Sequence, residues 1–275
     1  MNKYFFNHDL SSLLNLTDSQ IITFIGGGGK TSLMNTLGKG FASHENPTLL
    51  TTTTHIMKPD FLSDESYIEN EDLGQLANIF TNLKKNTLPL AALGIPEKVI
   101  NGNVKWRSPS SDFCEKIAEF SSKFSTKNPY KSLKILCEGD GSKRLPIKLP
   151  RDGEPVFFPK TDTVIGVIGL SCLGKPIKET LFRYELLPDF ISLQNHFIES
   201  LRPTDIVTTD FLYRLCLSKK GLCKNITSQK FCIIFNQADV LDEKMLTEVI
   251  ALRNELQAKG ICSHIASLKN KYILK

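Results

Sequence analysis

Apolar and polar positions divide the chain into short strands and amphipathic helices that alternate. Ile21-Ile22-Thr23-Phe24-Ile25 is an unbroken β-branched and aromatic run, the pattern of a strand buried on both faces. Four glycines end it, and the apolar positions Leu33, Met34 and Leu37 then predict a helix reaching about Ala42. Ahead of the strand, Leu10, Leu13, Leu14 and Leu16 predict a short docking helix. Pro47 to His55 reads as a second strand, because threonine favours sheet.

Within residues 64–86, Leu73, Leu76, Ile79, Phe80 and Leu83 repeat at helical spacing, and Leu88 to Leu93 predicts another strand. Asn101-Gly102 predicts a hairpin turn, and Asp112 opens an amphipathic helix over 112–124. Leu133 to Cys137 and Thr163 to Leu170 are apolar runs of the buried-strand kind. Residues 177–201 predict a helix in two pieces broken at Pro188, and Asp205 to Asp210 a weak strand end. Phe231 to Phe235, 241–259 and Ile261 to Ala266 close the chain as strand, amphipathic helix and strand. This order predicts a three-layer α/β fold with a mostly parallel central sheet. The 275 residues are read as a single domain over 1–275, with room for a small insertion around residues 86–130.

Composition changes that picture little. The chain is 41% hydrophobic and 23% charged, with a net charge of +5 and no long block of Lys and Arg, which argues against a nucleic-acid-binding arm. No apolar stretch is long enough to span a bilayer, and the N-terminus lacks signal-peptide character, so a cytoplasmic location with no membrane contact is expected. The seven cysteines contain no C-x-x-C pair and read as reduced small hydrophobes rather than a disulfide or zinc framework, with Cys172 a buried, inert thiol.

Candidate chemistry lies in three stretches. The first is Gly26-Gly27-Gly28-Gly29-Lys30-Thr31-Ser32, between a strand and a helix. Glycines let backbone N–H groups approach an anion, and a helix N-terminus adds partial positive charge. The arrangement is a shortened phosphate-binding loop, since the full spacing would need glycine at Phe24. The backbone of Gly27 to Lys30 is expected to cradle phosphates, Lys30 to reach the transferring group, and Thr31 to hold Mg²⁺. The dinucleotide spacing G-x-G-x-x-G fails here, because Thr31 or Ser32 falls at its third glycine. Thr53, Thr54 and His55, at the next strand's end, are candidates for phosphate, metal or substrate contact.

The second stretch, Glu138-Gly139-Asp140-Gly141-Ser142-Lys143-Arg144-Leu145-Pro146-Ile147-Lys148, follows a buried strand. Glu138 or Asp140 can complete a Mg²⁺ shell. Lys143, Arg144 and Lys148 can neutralise an anionic substrate. The third, Asn236-Gln237-Ala238-Asp239, ends a strand as Asn-x-x-Asp, which resembles the guanine-reading N-K-x-D of GTPases with Gln237 in place of lysine. Arg183 and His196 read as surface or capping residues, Arg183 being also a candidate phosphate contact.

Together these stretches resemble the selenium-dependent hydroxylase accessory proteins, the YqeC family. The resemblance rests on Gly26 to Ser32, Thr52-Thr53-Thr54-His55, Glu138 to Lys143 with Leu145-Pro146-Ile147-Lys148, Ile168-Gly169-Leu170 with Leu173-Gly174-Lys175-Pro176, and Asn236 to Asp239. Two positions depart from it: Gln237 replaces a lysine, and Ser171-Cys172 stands where Asp-Ala is expected. The resemblance implies a P-loop NTPase-like protein that takes part in maturing selenium-dependent molybdenum hydroxylases, with the client enzyme or its molybdenum cofactor as partner.

The combined expectation is a Mg²⁺-dependent ATP- or GTP-binding protein that hydrolyses its nucleotide. Lys30 and Asp140 carry the chemistry, with His55 the candidate for positioning water. Gly26 to Ser32, Asn236 and Asp239 bind nucleotide, Thr31, Glu138 and Asp140 hold the metal, and Thr54, Lys143, Arg144 and Lys148 bind substrate. Two alternatives stay open: a small-molecule kinase or nucleotidyltransferase using the same loop, and a nucleotide-gated scaffold without turnover.

Overall fold

The computed structural model describes residues 2–6, 10–43, 46–81, 87–124, 133–192 and 201–274. His196 and part of the 86–130 segment lie outside the described residues. A ten-stranded sheet forms the middle layer. From one edge to the other its strands are Lys3–Phe5, Tyr272–Leu274, Cys262–Ser267, Lys230–Asn236, Thr163–Gly169, Ile21–Gly26, Lys134–Glu138, Thr48–Thr52, Leu90–Leu93 and Tyr67–Ile68. From Cys262–Ser267 to Tyr67–Ile68 every neighbouring pair is parallel. Two short antiparallel strands, Tyr272–Leu274 and Lys3–Phe5, finish one edge.

The apolar runs become two-faced strands because successive side chains point to opposite sides. Ile22 and Phe24 face Leu33, Met34, Leu37 and Phe41 of the helix Lys30–Ser43. On the other face Ile25 joins a cluster with Val249, Leu252 and Leu256 of the helix Glu243–Ala258, and Ile21 joins another with Phe113 and Ile117 of the helix Ser111–Phe124. Helices on both faces of a mostly parallel sheet make the three α/β layers.

The Ile21–Gly26 strand has chain neighbours running away from it on both sides. Thr48–Thr52 lies beyond Lys134–Glu138 on one flank, while Thr163–Gly169 starts the other flank. The glycine loop therefore leaves the sheet at a topological switch point, where open parallel sheets form a crevice beyond the strand ends.

Within 86–130, Leu90–Leu93 and the helix Ser111–Phe124 belong to the main layers. The hairpin Ile95–Ile100 and Asn103–Arg107 instead pairs with His55–Met57 in a separate three-stranded antiparallel sheet. Its turn residues Asn101 and Gly102 have φ of 48° and 78°, the left-handed pair of a two-residue hairpin turn.

Three local expectations are corrected. Pro188 does not break a helix; it lies in the first turn of Leu187–Ser192, where its missing N–H costs nothing. The segment before it is a four-residue helix, Ile177–Thr180, followed by the two-residue strand Leu181–Phe182. Asp205 to Asp210 forms no strand in the sheet: Ile206 makes one isolated bridge to Pro176, and Thr208 caps the helix Thr209–Leu217 by accepting from Phe211 N–H.

Candidate functional site

The glycine loop, the Glu138 to Lys148 stretch, the small antiparallel sheet and the Arg151 to Arg183 region surround an open cleft of about 1250 Å³. Gly28, Gly29, Lys30, Thr31 and Ser32 line one wall; Thr54, His55, Lys143 and Arg144 line the others.

The loop is bound to its surroundings on three sides. Gly26 N–H donates to both oxygens of Asp140 at 3.1 Å, Gly27 N–H to Val167 O at 2.9 Å, and Gly28 N–H to Leu145 O at 3.2 Å. Gly28 needs to be glycine: its φ is +67°, and an added Cβ would fall onto the Gly169 backbone. Pro146 O in turn accepts from Gly169 N–H at 2.8 Å. The Leu145-Pro146 segment is thus a backbone support for the loop.

The next four N–H groups differ. Those of Gly29, Lys30, Thr31 and Ser32 meet no acceptor among the described residues. They are the unsatisfied donors at the start of the helix Lys30–Ser43, and all four residues line the cleft. The free donors begin at Gly29, two residues later than the sequence alone places them.

Lys30 is 4% exposed. Its Nζ donates to Gly26 O at 2.6 Å and lies 3.2 Å from Asp140 Oδ1 and 3.9 Å from Glu138 Oε1. Thr31 Oγ1 donates to Glu138 Oε2 at 2.6 Å. Burial pushes the Glu138 carboxyl above its ordinary range, against the pull of Lys30 and Thr31.

The two acidic residues play different parts. Asp140, with both oxygens on Gly26 N–H, also faces Lys148 Nζ at 3.3 Å. Glu138 faces the helix N-terminus through the Thr31 hydroxyl. A hydroxyl and a carboxylate oxygen side by side are the hard-oxygen donor set that suits Mg²⁺, so Thr31 and Glu138 fit such an ion. Asp140 fits it poorly, since its oxygens already satisfy an N–H and two ammonium groups.

Lys148 is 2% exposed and does not itself line the cleft; its Nζ lies behind the lining, between Asp140, Gly141 O at 2.8 Å and Glu154 Oε2 at 2.5 Å. Arg183 grips the same Glu154 with two bonds, 2.5 and 2.8 Å. Burial would raise the Glu154 carboxyl, but the Arg183 and Lys148 hydrogen bonds overcome it and hold the group at about 2. Arg183, read from the sequence as a surface or capping residue, is corrected to a half-buried ion-pair partner. Glu154 has no local sign in the sequence, since nothing in Gly153-Glu154-Pro155 marks a buried carboxylate.

Lys143 and Arg144 are exposed at the cleft with φ of 48° and 66°, and Lys143 Nζ lies 5.3 Å from the Phe182 ring centre. His55 Nε2 lies 3.2 Å from Glu97 Oε1 on the neighbouring small sheet. Thr54 N–H turns back to Thr52 Oγ1.

Asn236 braces the glycine loop: its Nδ2 donates to Gly28 O at 2.8 Å and its Oδ1 accepts from Leu268 N–H at 3.0 Å. Asp239 accepts from Ser267 Oγ at 2.6 Å. Neither lines the cleft, whereas Gln237 between them does, in a left-handed conformation with φ of 69°. Cys172 is buried and its thiol is pushed up to about 12, so it stays protonated and inert.

A sequence model of the YqeC protein family matches residues 22–185, more than half the chain and every motif of the cleft except Asn236 to Asp239. The chain belongs to the YqeC family. It is also 26% identical over 214 residues to a protein of Escherichia coli (strain K12) described as uncharacterized protein YqeC, covering 75% of this chain and 71% of the relative. Within the YqeC match lie the glycine loop, the Glu138 to Lys148 stretch, Glu154 and Arg183. No helix among the described residues is long and apolar enough to cross a membrane.

Proposed function

We propose that this YqeC-family chain binds a purine nucleoside triphosphate, ATP or GTP, with Mg²⁺ in the cleft and hydrolyses it. The carrying observation is the run of four N–H groups, Gly29 to Ser32, that lack an acceptor among the described residues, at a helix N-terminus lining a large cleft. Phosphate oxygens satisfy such donors, and the helix end favours their charge. Thr31 and Glu138 would hold the ion, which when bound neutralises charge on the phosphates. Lys30 would reach the terminal phosphate by a swing of one side chain that takes Nζ off Gly26 O and Asp140. His55, which lines the cleft beside Glu97, is the candidate for orienting water.

The biological setting we propose is accessory: turnover serves a client molybdenum hydroxylase or the handling of its cofactor, in keeping with the family resemblance. A second reading has its own support. Lys143 and Arg144 stand exposed with no ion-pair partner within 4 Å among the described residues, so the cleft can also receive an anionic acceptor, as a kinase or nucleotidyltransferase would.

The test is a Mg²⁺-dependent titration of ATP, GTP and a nicotinamide dinucleotide against the chain and its Lys30→Ala variant, with folding checked by circular dichroism. Binding of a triphosphate that the folded variant loses supports the reading, and free phosphate rather than a modified acceptor separates hydrolysis from transfer. Equal binding by both proteins, or none by either, overturns it.

A further inference from the structure

Near the amino ends of two neighbouring strands, Lys230–Asn236 and Cys262–Ser267, lies a cluster that the cleft does not use. Cys232 and Cys262 are register partners on adjacent parallel strands, and His264 follows Cys262 by two positions, so all three side chains project from one face. Their ligand atoms lie within 4.8 Å of one another, and Cys262 Sγ is 3.4 Å from His264 Nε2. Cys232 is third in its strand and Asn236 is last, so about 13 Å of strand separates this cluster from the glycine-loop brace.

We propose that Cys232, Cys262 and His264 form a Zn²⁺ site. Tetrahedral zinc with bonds of about 2.0–2.3 Å spaces its ligands by about 3.3–3.8 Å, so small rotamer adjustments close the cluster onto an ion. The charge count selects the metal. Two thiolates and a neutral imidazole bring Zn²⁺ to zero, which a site containing a 2% exposed cysteine can hold without an uncompensated charge. A monovalent soft ion would leave the same site negative. Three protein ligands leave the fourth position for water or a soft exogenous donor.

Both thiols give up their protons when the ion binds. His264 and Cys262 are part-exposed, which gives the ion a path in from solvent.

The experiment uses the reduced full chain titrated with Co²⁺ as a spectroscopic probe and then with Zn²⁺ in competition. One Co²⁺ per chain with strong thiolate-to-metal charge-transfer absorption, displaced by Zn²⁺, is expected. Cys262→Ser should lose that absorption and weaken Zn²⁺ binding by about a hundredfold, while Cys223→Ser, at a half-buried thiol elsewhere, keeps both. Absence of the band in the reduced wild-type chain, or its survival in Cys262→Ser, overturns the site. If Cys262→Ser does not fold, His264→Asn decides instead: about tenfold weaker binding with a shifted spectrum supports the site, and unchanged binding overturns it. Oxygen-ligated Mg²⁺ at the cleft gives no such band, so this result is independent of the nucleotide reading.

Discussion

Lys30 Nζ sits 3.2 Å from Asp140 Oδ1 with both side chains buried, so the glycine loop's cation is held against a carboxylate before any anion arrives. The same carboxylate accepts from Gly26 N–H and faces Lys148. Asp140 therefore ties the loop, its lysine and the following stretch into one unit. Asp140→Asn leaves two buried ammonium groups short of their shared counter-charge. We expect a loss of about 3–5 kcal/mol in urea unfolding, the range for removing one partner of a buried pair. A loss below about 1 kcal/mol would contradict this bracing role.

Glu138 behaves in the opposite sense. Burial raises its carboxyl pKa in the folded chain, so folding binds a proton there that the unfolded chain releases. Stability from this group is therefore present at low pH and falls as pH rises from its unfolded value through the raised folded one. Glu138→Gln removes that penalty at neutral pH. The ligand-free variant is expected to melt at or about 2–4 °C above the wild type while losing Mg²⁺-dependent nucleotide binding. A lower melting temperature with unchanged binding would refute both halves.

Asn236 separates loop bracing from base reading. Asn236→Ala leaves Gly28 O and Leu268 N–H without their partner, at a cost of about 1–3 kcal/mol. If its part is to hold the loop, affinities for ATP and GTP fall by the same factor. A change in their ratio in paired titrations would instead mark a contact with the base.

Glu154 gives the chain an acid-sensitive joint. Its folded pKa of about 2 lies below the unfolded carboxylate value, so its contribution is present above that unfolded value and is lost as pH falls toward 2. Glu154→Gln should destabilise the chain by about 2–4 kcal/mol at neutral pH and flatten the stability profile between roughly pH 5 and 2. Urea midpoints measured across that range for both proteins check it; parallel profiles would place the acid sensitivity elsewhere.

Residue order by itself determined the alternating elements, the parallel sheet and the glycine loop. Buried strands, amphipathic helices and a Gly-rich strand-to-helix turn are set by local periodicity and backbone freedom, and these survive without knowledge of neighbours. The belonging of Glu138 and Lys30 to one site was equally legible, because Glu138 closes one buried strand and Lys30 opens the helix that follows another, and such strand ends gather at a crevice. Only the tertiary structure decided which groups remain free to bind. Val167 O of the neighbouring strand and Leu145 O of a loop far along the chain occupy Gly27 and Gly28 N–H, which leaves Gly29 to Ser32 available. Asp140 and Lys148 look from the sequence like metal and substrate ligands, yet they meet each other and Glu154 in the interior. Hydrogen bonds and ion pairs between residues far apart in sequence consume some charges and release others, and no local pattern records which.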